Sequence, residues 1–471
     1  MKLQDSLSKV GFLLSESVEY KKKWYRIKMP SYALFLCLKL KKFLKIKEKY
    51  MKFKYPKEYD SVFDELKDRG YFEASTDEEE LAEKLKNEKL TFYCGFDATA
   101  DSLTVGHLIQ IMVMMRMQNY GHRPIALLGG GTTMIGDPSG RSDMRMVMTK
   151  ERIDHNANCF YKQFQRFLEF ENDGVDSGDK AIMVNNGDWL LNLPFVDFLR
   201  DVGSNFLVNE MLKKDAYKNR MDKGLTFFEF SYMLLQSYDF LELYRRYNCT
   251  LEIGGSDQWS NIIGGYDLIR KKEDAKVYGM TFKLLTTADG IKMGKSQKGA
   301  VWLDEEKTSA YELFQYMRNV DDRDVEKFLL MLTFLPTEEC RKLGNGKDAK
   351  EINHAKEVLA YEITKLIHGE EKAKEALEAS KALFSGAGDE SAMPTTEIEK
   401  EELPMGILTL LTKLGLTKSN SQARDSVKGG GVSINDEKIS DPRFEINEEL
   451  FEEGKIIVKK GKKTFHKVTI K

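Results

Sequence analysis

The stretch TFYCGFDATADSLTVGHLIQ, residues 91–110, decides the fold. Its opening apolar run, Thr91–Cys94, predicts a buried strand that breaks at Gly95. A polar loop follows, and an apolar-periodic helix is expected from Val105 to about Tyr120, with Gly106 and His107 in its first turn. A strand feeding a glycine-bearing turn and a helix N-terminus can hold a phosphate, because the first backbone N–H groups are unpaired and the helix dipole is positive there. Gly106 removes a side chain where a nucleotide can lie against backbone, and His107 adds a neutral donor beside it. Packing alone also accounts for Gly-His at a helix start.

Working outward, a helical lead-in (59–90) precedes this strand, and Ile125–Leu128 predicts a second one ending in Gly129-Gly130-Gly131. Helical segments are expected through 189–247, a strand at Leu251–Ile253 before Gly254-Gly255, and a helix over 260–270. This alternation predicts an α/β fold, a parallel sheet with helices on both faces and ligands at the carboxyl ends of its strands. Residues 289–296, DGIKMGKS, form a glycine-containing loop carrying Lys292, Lys295 and Ser296. Lysines on a mobile loop suit a polyphosphate whose charge is moving onto a leaving group, although a solvated basic loop has the same composition. Tyr232, Gln236 and Asp239 recur at i, i+4 and i+7, placing a phenol, an amide and a carboxylate on one helix face. Such a stripe serves a polar ligand or a satisfied internal network. Asp257 follows two glycines, where it can accept both ribose hydroxyls or cap the next helix.

The chain has 471 residues, 41% hydrophobic and 31% charged, which fits a soluble protein of two to three domains. Five cysteines (Cys37, Cys94, Cys159, Cys249, Cys340) show no CxxC spacing, which argues against a zinc site or disulfide framework and fits a reducing compartment. The apolar run Tyr32–Leu38 is too short to span a bilayer. The net charge of −2 hides an uneven distribution. Residues 1–57 carry 16 Lys/Arg against 4 Asp/Glu (+12) and residues 404–471 carry 13 against 9 (+4), leaving 58–403 at −18. Lys213, Lys214, Lys218, Arg220 and Lys223 cluster locally, as an RNA contact or as one solvated helix face.

Four further segments join the two nucleotide-like motifs: YCGFDATADSL (93–103), GDPSGR (136–141), FSYMLLQSYDF (230–240) and GGSDQW (254–259). Together, in this order, they resemble the class I aminoacyl-tRNA synthetases, and within them the bacterial-type tyrosyl-tRNA synthetases, from about Tyr59 to the C-terminus. The resemblance implies a Rossmann-like catalytic domain (58–300), a helical anticodon-binding domain (301–385), a linker (386–403) and a small α+β RNA-binding domain of the α-L type (404–471). Residues 1–57 form a basic extension outside the resemblance. An upstream start codon with Met51 as the true start is the favoured reading; an organelle-targeting segment and an RNA-binding arm are the alternatives.

The family's chemistry is attack by the tyrosine carboxylate on the α-phosphate of ATP, with pyrophosphate leaving, followed by transfer to the terminal adenosine of tRNA(Tyr). Positioning and charge stabilisation suffice for it. By resemblance, Tyr93 and Asp239 bind the phenolic hydroxyl, and Asp137, Tyr232 and Gln236 the α-ammonium, with Gln258 near the carboxylate. Cys94, His107, Gly255 and Asp257 hold the ribose, and Asp97 and Gly106 complete the ATP site. Thr99, Arg141, Arg145, Lys292, Lys295 and Ser296 grip the leaving phosphates. Thr104 stands where the family most often has a histidine; its hydroxyl can still donate, with a weaker phosphate grip expected. In the C-terminal unit Lys418, Ser419, Gln422, Arg424 and Lys428 are expected to meet RNA. ATP enters with Mg2+, no metal or tightly bound cofactor is expected on the protein itself, and a cytoplasmic homodimer is implied. A non-catalytic RNA-binding relative would have lost activation residues, and a tryptophan-specific relative would lack the pair Tyr93 and Asp239.

Overall fold

The computed structural model describes residues 54–138, 148–171, 178–218, 221–296, 299–385, 394–417, 419–435, 437–451, 454–461 and 464–471. The chain divides into two units, Met1–Lys54 and Tyr55–Lys471, and the described helices and strands all belong to the second. The expectations for the basic extension fall almost entirely outside the described residues.

Six strands form the central sheet: β1 (Phe72–Ser75), β2 (Thr91–Phe96), β3 (Arg123–Leu128), β4 (Ile182–Asn185), β5 (Cys249–Gly255) and β6 (Tyr278–Phe282), in the order β1-β6-β5-β2-β3-β4. All neighbours are parallel except β1 against β6. The chain moves one way from β2 to β3 and β4, then returns to place β5 on the other side of β2. The carboxyl ends of β2 and β5 therefore flank the point where strand order reverses, the usual ligand crevice of such sheets.

Sequence reasoning found β2, β3 and β5 but not β1, β4 or β6. The expected helical lead-in is two helices, Val62–Asp68 and Glu78–Asn87, with β1 between them. Strands β1 and β4 are four residues each and sit at the sheet's edges, too short for a period-2 pattern to show. Where the caps are polar, the helix starts are clear: Ser61 accepts from Phe63 N–H, and Asp77 from Glu80 N–H.

The helix after the first motif opens as a 3-10 turn, Val105–His107, and continues as α-helix over Leu108–Asn119. It is buried nearly all round. Its Arg116, 1% exposed, is paired with Glu65 and donates to the carbonyl of Thr333. Arg69 donates to the carbonyls of Leu330 (3.2 Å) and Leu335 (2.8 Å). Leu330 in the last turn of the Val325–Leu332 helix, its C-cap Thr333 and Leu335 just beyond thus have their carbonyls met by buried guanidiniums. One apolar cluster runs on from Met112 and Phe314 to Ala376, so the helical region after residue 308 shares its core with the sheet.

The C-terminal unit has its own core around Leu410, Val427 and Val458. The helices Ile407–Lys413 and Asn420–Lys428 pack on a five-stranded sheet. One of its strands, Thr395–Ile398, pairs in parallel with Thr464–Ile470 and lies inside the stretch expected to be linker. Among the described residues no helix is long and apolar enough to cross a membrane.

Candidate active site

Strand alternation sorts the first motif into two faces. Tyr93, 1% exposed, belongs to the cluster under the Tyr232–Tyr247 helix, its ring 5.4 Å from that of Phe240. Cys94 points the opposite way, into the core with Met112 and Phe96, where burial raises its thiol pKa. The structure therefore places this predicted ribose contact in apolar packing rather than beside Tyr93.

The Tyr232–Tyr247 helix presents Tyr232, Gln236 and Asp239 toward that pocket side of the sheet. Asp239 is 2% exposed and accepts Trp189 Nε1–H at 2.7 Å and Asn186 Nδ2–H at 2.8 Å, one on each oxygen. Burial pushes its pKa up to about 8; the two N–H donors pull it down, and the charges of Glu252 and Asp97 push it up further. Asn186 is itself fixed: its Oδ1 accepts Gly131 N–H at 2.7 Å and its Nδ2 also donates to Thr132 Oγ1 at 3.0 Å. Sequence reasoning missed Asn186, Trp189 and Glu252. The first two follow the apolar run Ile182–Val184 as Asn185-Asn186-Gly187-Asp188-Trp189, a strand-to-loop signal like that after β2. Glu252 is a carboxylate inside an otherwise apolar strand. A charge at a buried position is itself a pointer to function.

The remaining predicted groups gather at the strand ends. After β2, Asp97 accepts from Thr132 Oγ1 (3.2 Å) and Thr133 Oγ1 (3.3 Å), while Thr99 is exposed at the loop tip. After β3, Asp137 accepts Gln258 Nε2–H at 2.6 Å, joining it to the loop after β5. A Cβ on Gly255 would come within 2.7 Å of the Leu284 side chain and 2.8 Å of the Asp257 carboxylate, both of which would have to shift. Asp257 forms an exposed ion pair with Lys292 at 3.1 Å.

The two nucleotide-like motifs touch directly. Val105 N–H donates to Val301 O (2.9 Å) and Val301 N–H to Gly294 O (2.9 Å). A Cβ on Gly106 would sit 3.2 Å from Met293 O, and one on Gly294, whose φ is +107°, would sit 2.8 Å from Gly106 N. Both glycines are needed for this backbone-to-backbone approach, a reason for Gly106 beyond the nucleotide. Thr104 N–H donates to His107 Nδ1 at 3.0 Å, which makes Nδ1 the acceptor and puts the imidazole proton on Nε2. The Thr104 hydroxyl lies 3.0 Å from the same nitrogen, so it orients His107.

Arg141 and Arg145 lie outside the described residues, as do the side chains of Lys295 and Ser296, whose backbone forms a short strand with Gly299–Ala300. In the C-terminal unit Lys418 is likewise outside. Ser419 caps the Asn420–Lys428 helix by accepting Gln422 N–H, and Arg424 and Lys428 lie one turn apart on its exposed face. In the other basic cluster Lys213 forms an exposed ion pair with Glu210, Lys214 is half-buried with its pKa lowered by burial, and Arg220 lies outside the described residues.

Residues 85–385 match the family model for class I tRNA synthetases (W and Y), and residues 387–468 match the tyrosine–tRNA ligase SYY-like C-terminal domain. The chain belongs to the class I tRNA synthetases of the tryptophan and tyrosine group. The tyrosine–tRNA ligase of Lachnoclostridium phytofermentans is 57% identical over 411 residues, 86% of this chain and 98% of the relative. That of Clostridium botulinum is 55% identical, over 87% of this chain and 99% of the relative. Among solved structures, a C-terminally truncated mitochondrial tyrosyl-tRNA synthetase from Aspergillus nidulans is similar at 29% identity with a TM-score of 0.61, covering 69% of this chain and 95% of that one.

Proposed function

We infer that this chain is a tyrosine–tRNA ligase. It joins L-tyrosine to AMP with release of pyrophosphate, then transfers the tyrosyl group to the terminal adenosine of tRNA(Tyr). The observation that carries the substrate choice is the pairing of a buried Asp239 carboxylate with a buried Tyr93 hydroxyl on one pocket wall. A phenol oxygen both donates and accepts, so it can satisfy the two groups together; an indole N–H only donates.

In this reading Gln236, Asp137 and Tyr232 receive the α-ammonium, and Gln258, held on Asp137, lies near the carboxylate. Asp257 and Gly255 take the ribose. His107, with its proton on Nε2, and Lys292, Lys295, Ser296 and Thr99 stabilise charge as it moves onto pyrophosphate. Mg2+ travels on ATP, held by phosphate oxygens and water. Residues 58–300 act as the catalytic domain, 301–385 as the anticodon-binding domain, and the C-terminal unit, which includes the strand from Thr395, binds tRNA.

The protein pairs with a second copy. Of the eleven large apolar side chains exposed among the described residues, nine fall between Leu191 and Phe228, with Phe195, Leu207 and Phe227 each about two-thirds exposed. Such a concentration marks an interface. Free cysteines at Cys94, Cys159, Cys249 and Cys340 support a cytoplasmic site. ATP–pyrophosphate exchange across the twenty amino acids tests the reading: exchange with tyrosine alone is expected, and exchange driven by tryptophan overturns it.

A further inference from the structure

We propose that Glu252 is a positioning residue of the amino-acid pocket, fixing which end of the Gln236 amide meets the substrate. The proposal rests on the assignment of Tyr93, Gln236 and Asp239 to that pocket.

The register between β2 and β5 sets Glu252 directly opposite Tyr93, and the strand pleat puts both side chains on the same face. Glu252 is 1% exposed. Its Oε1 accepts Gln236 Nε2–H at 3.0 Å, while among the described residues Oε2 and the Tyr93 hydroxyl are neighbours without a well-aligned hydrogen bond. Buried polar atoms left this way are rare in folded proteins, and two on adjacent strands mark the wall of a polar ligand site. Gly265 packs behind: a Cβ there would press on Phe240 at 2.9 Å and approach Glu252 Oε2 at 3.3 Å.

An amide side chain has one accepting and one donating end. The α-ammonium of an amino acid carries three donors and no acceptor, so Gln236 must turn its oxygen toward the substrate. That orientation requires another acceptor for its NH2 group, and Glu252 supplies it. A carboxylate cannot reverse the pairing, whereas a second amide can pair either way round. The negative partner also polarises the Gln236 amide, making its oxygen a stronger acceptor.

The charge state of Glu252 is set by what surrounds it. Tyr93 faces it from β2, with Cys94 behind on the opposite face of that strand, Cys249 lies on its own strand, and Asp239 faces it from the Tyr232–Tyr247 helix. Burial pushes its pKa up to about 7, with the hydrogen bond from Gln236 and the adjacent Tyr93 hydroxyl pulling down. Protonation then weakens its hold on the amide within the working pH range.

The test is the KM and kcat for tyrosine in ATP–pyrophosphate exchange from pH 6 to 9, with Asp239→Asn as the control for the pocket itself. In the full-length enzyme KM is expected to rise as pH falls through about 7. Glu252→Met should raise KM about 10- to 100-fold with kcat little changed, because the interaction orients substrate binding rather than charge transfer. Glu252→Gln should raise KM a few-fold, and in both variants the acid-side rise should shrink to the part that Asp239 contributes. In a Gln236→Leu background Glu252→Met should add less than about 2-fold, since the effect passes through Gln236. If Glu252→Met does not fold, Glu252→Gln and its pH profile carry the test. Wild-type KM and pH dependence in both Glu252 variants, with Asp239→Asn inactive, overturns the role of Glu252 and leaves the pocket standing. A silent Asp239→Asn overturns the pocket.

Discussion

The two ends of the active site are built differently. The amino-acid end is dry and fixed: Tyr93, Asp239 and Glu252 are all at most 2% exposed, and Asp239 is held by two donors, of which Asn186 is itself anchored. The nucleotide end is wet and made of loops. Thr99 is exposed at a loop tip, Lys292 is more than half-exposed and ion-paired with Asp257, and the two glycines Gly106 and Gly294 meet backbone to backbone. Discrimination between tyrosine and its deoxy analogue needs polar groups that cannot find water when the hydroxyl is missing, and only burial provides that. Charge neutralisation during pyrophosphate departure needs cations able to follow the moving charge, and exposure provides that. The cost of the dry end is two carboxylates held in a low-dielectric site.

The largest expected effect removes the centre of the dry end. Asp239→Ala should lower kcat/KM for tyrosine activation by about 1,000-fold or more, because the buried acceptor for the substrate hydroxyl is lost and Asn186 and Trp189 are left unpaired. Near-normal exchange by this variant would dissolve the contrast between the two ends. A chain ending at Ser385 should keep exchange activity but lose tRNA charging by about 100-fold, as expected when several phosphate contacts go. Unchanged charging would remove the C-terminal unit from tRNA binding. The cut belongs before Thr395, because that strand is part of the C-terminal sheet.

At the wet end, Lys292→Ala should lower kcat about 10- to 100-fold and leave the KM for tyrosine within about 2-fold, the signature of a group acting in the transition state. A raised tyrosine KM with unchanged kcat would move Lys292 to substrate binding. The smallest effect concerns stability. Asp239 and Glu252 have folded-state pKa values raised by burial to about 8 and about 7. A raised carboxyl pKa means the fold favours the proton. Each group's contribution is therefore best below its unfolded pKa near 4 and declines as pH rises through 7 to 8. The ligand-free protein should lose stability from pH 5 to 8.5, and Glu252→Gln should recover about 1–3 kcal/mol at the upper end, read from urea midpoints. A flat pH profile would mean the pocket is already hydrated.

The dry end was half legible in the sequence. Tyr93 and the stripe Tyr232, Gln236, Asp239 stand out because their spacing follows strand and helix periods. Asn186 and Trp189 did not, because they follow a four-residue edge strand too short to announce itself, and their role exists only once β4 lies beside β3. Glu252 was visible as a charge in an apolar strand, yet its partner across the register is 159 positions away in sequence. At the wet end the motifs were plain, but the contact between Gly106 and Gly294 depends on tertiary approach. Thr104, expected to meet phosphate, also lies against His107 Nδ1, a local contact that spacing alone does not show.

Substrate choice turns on a hydroxyl recognised by buried groups. Its most direct test is the ratio of kcat/KM for tyrosine over phenylalanine, measured by ATP–pyrophosphate exchange on the unmodified protein and on Tyr93→Phe side by side. The ratio is expected to fall about 10-fold in the variant, the worth of one buried neutral hydrogen bond, mostly through weaker use of tyrosine. An unchanged ratio, with tyrosine used as before, would contradict recognition by the buried pair.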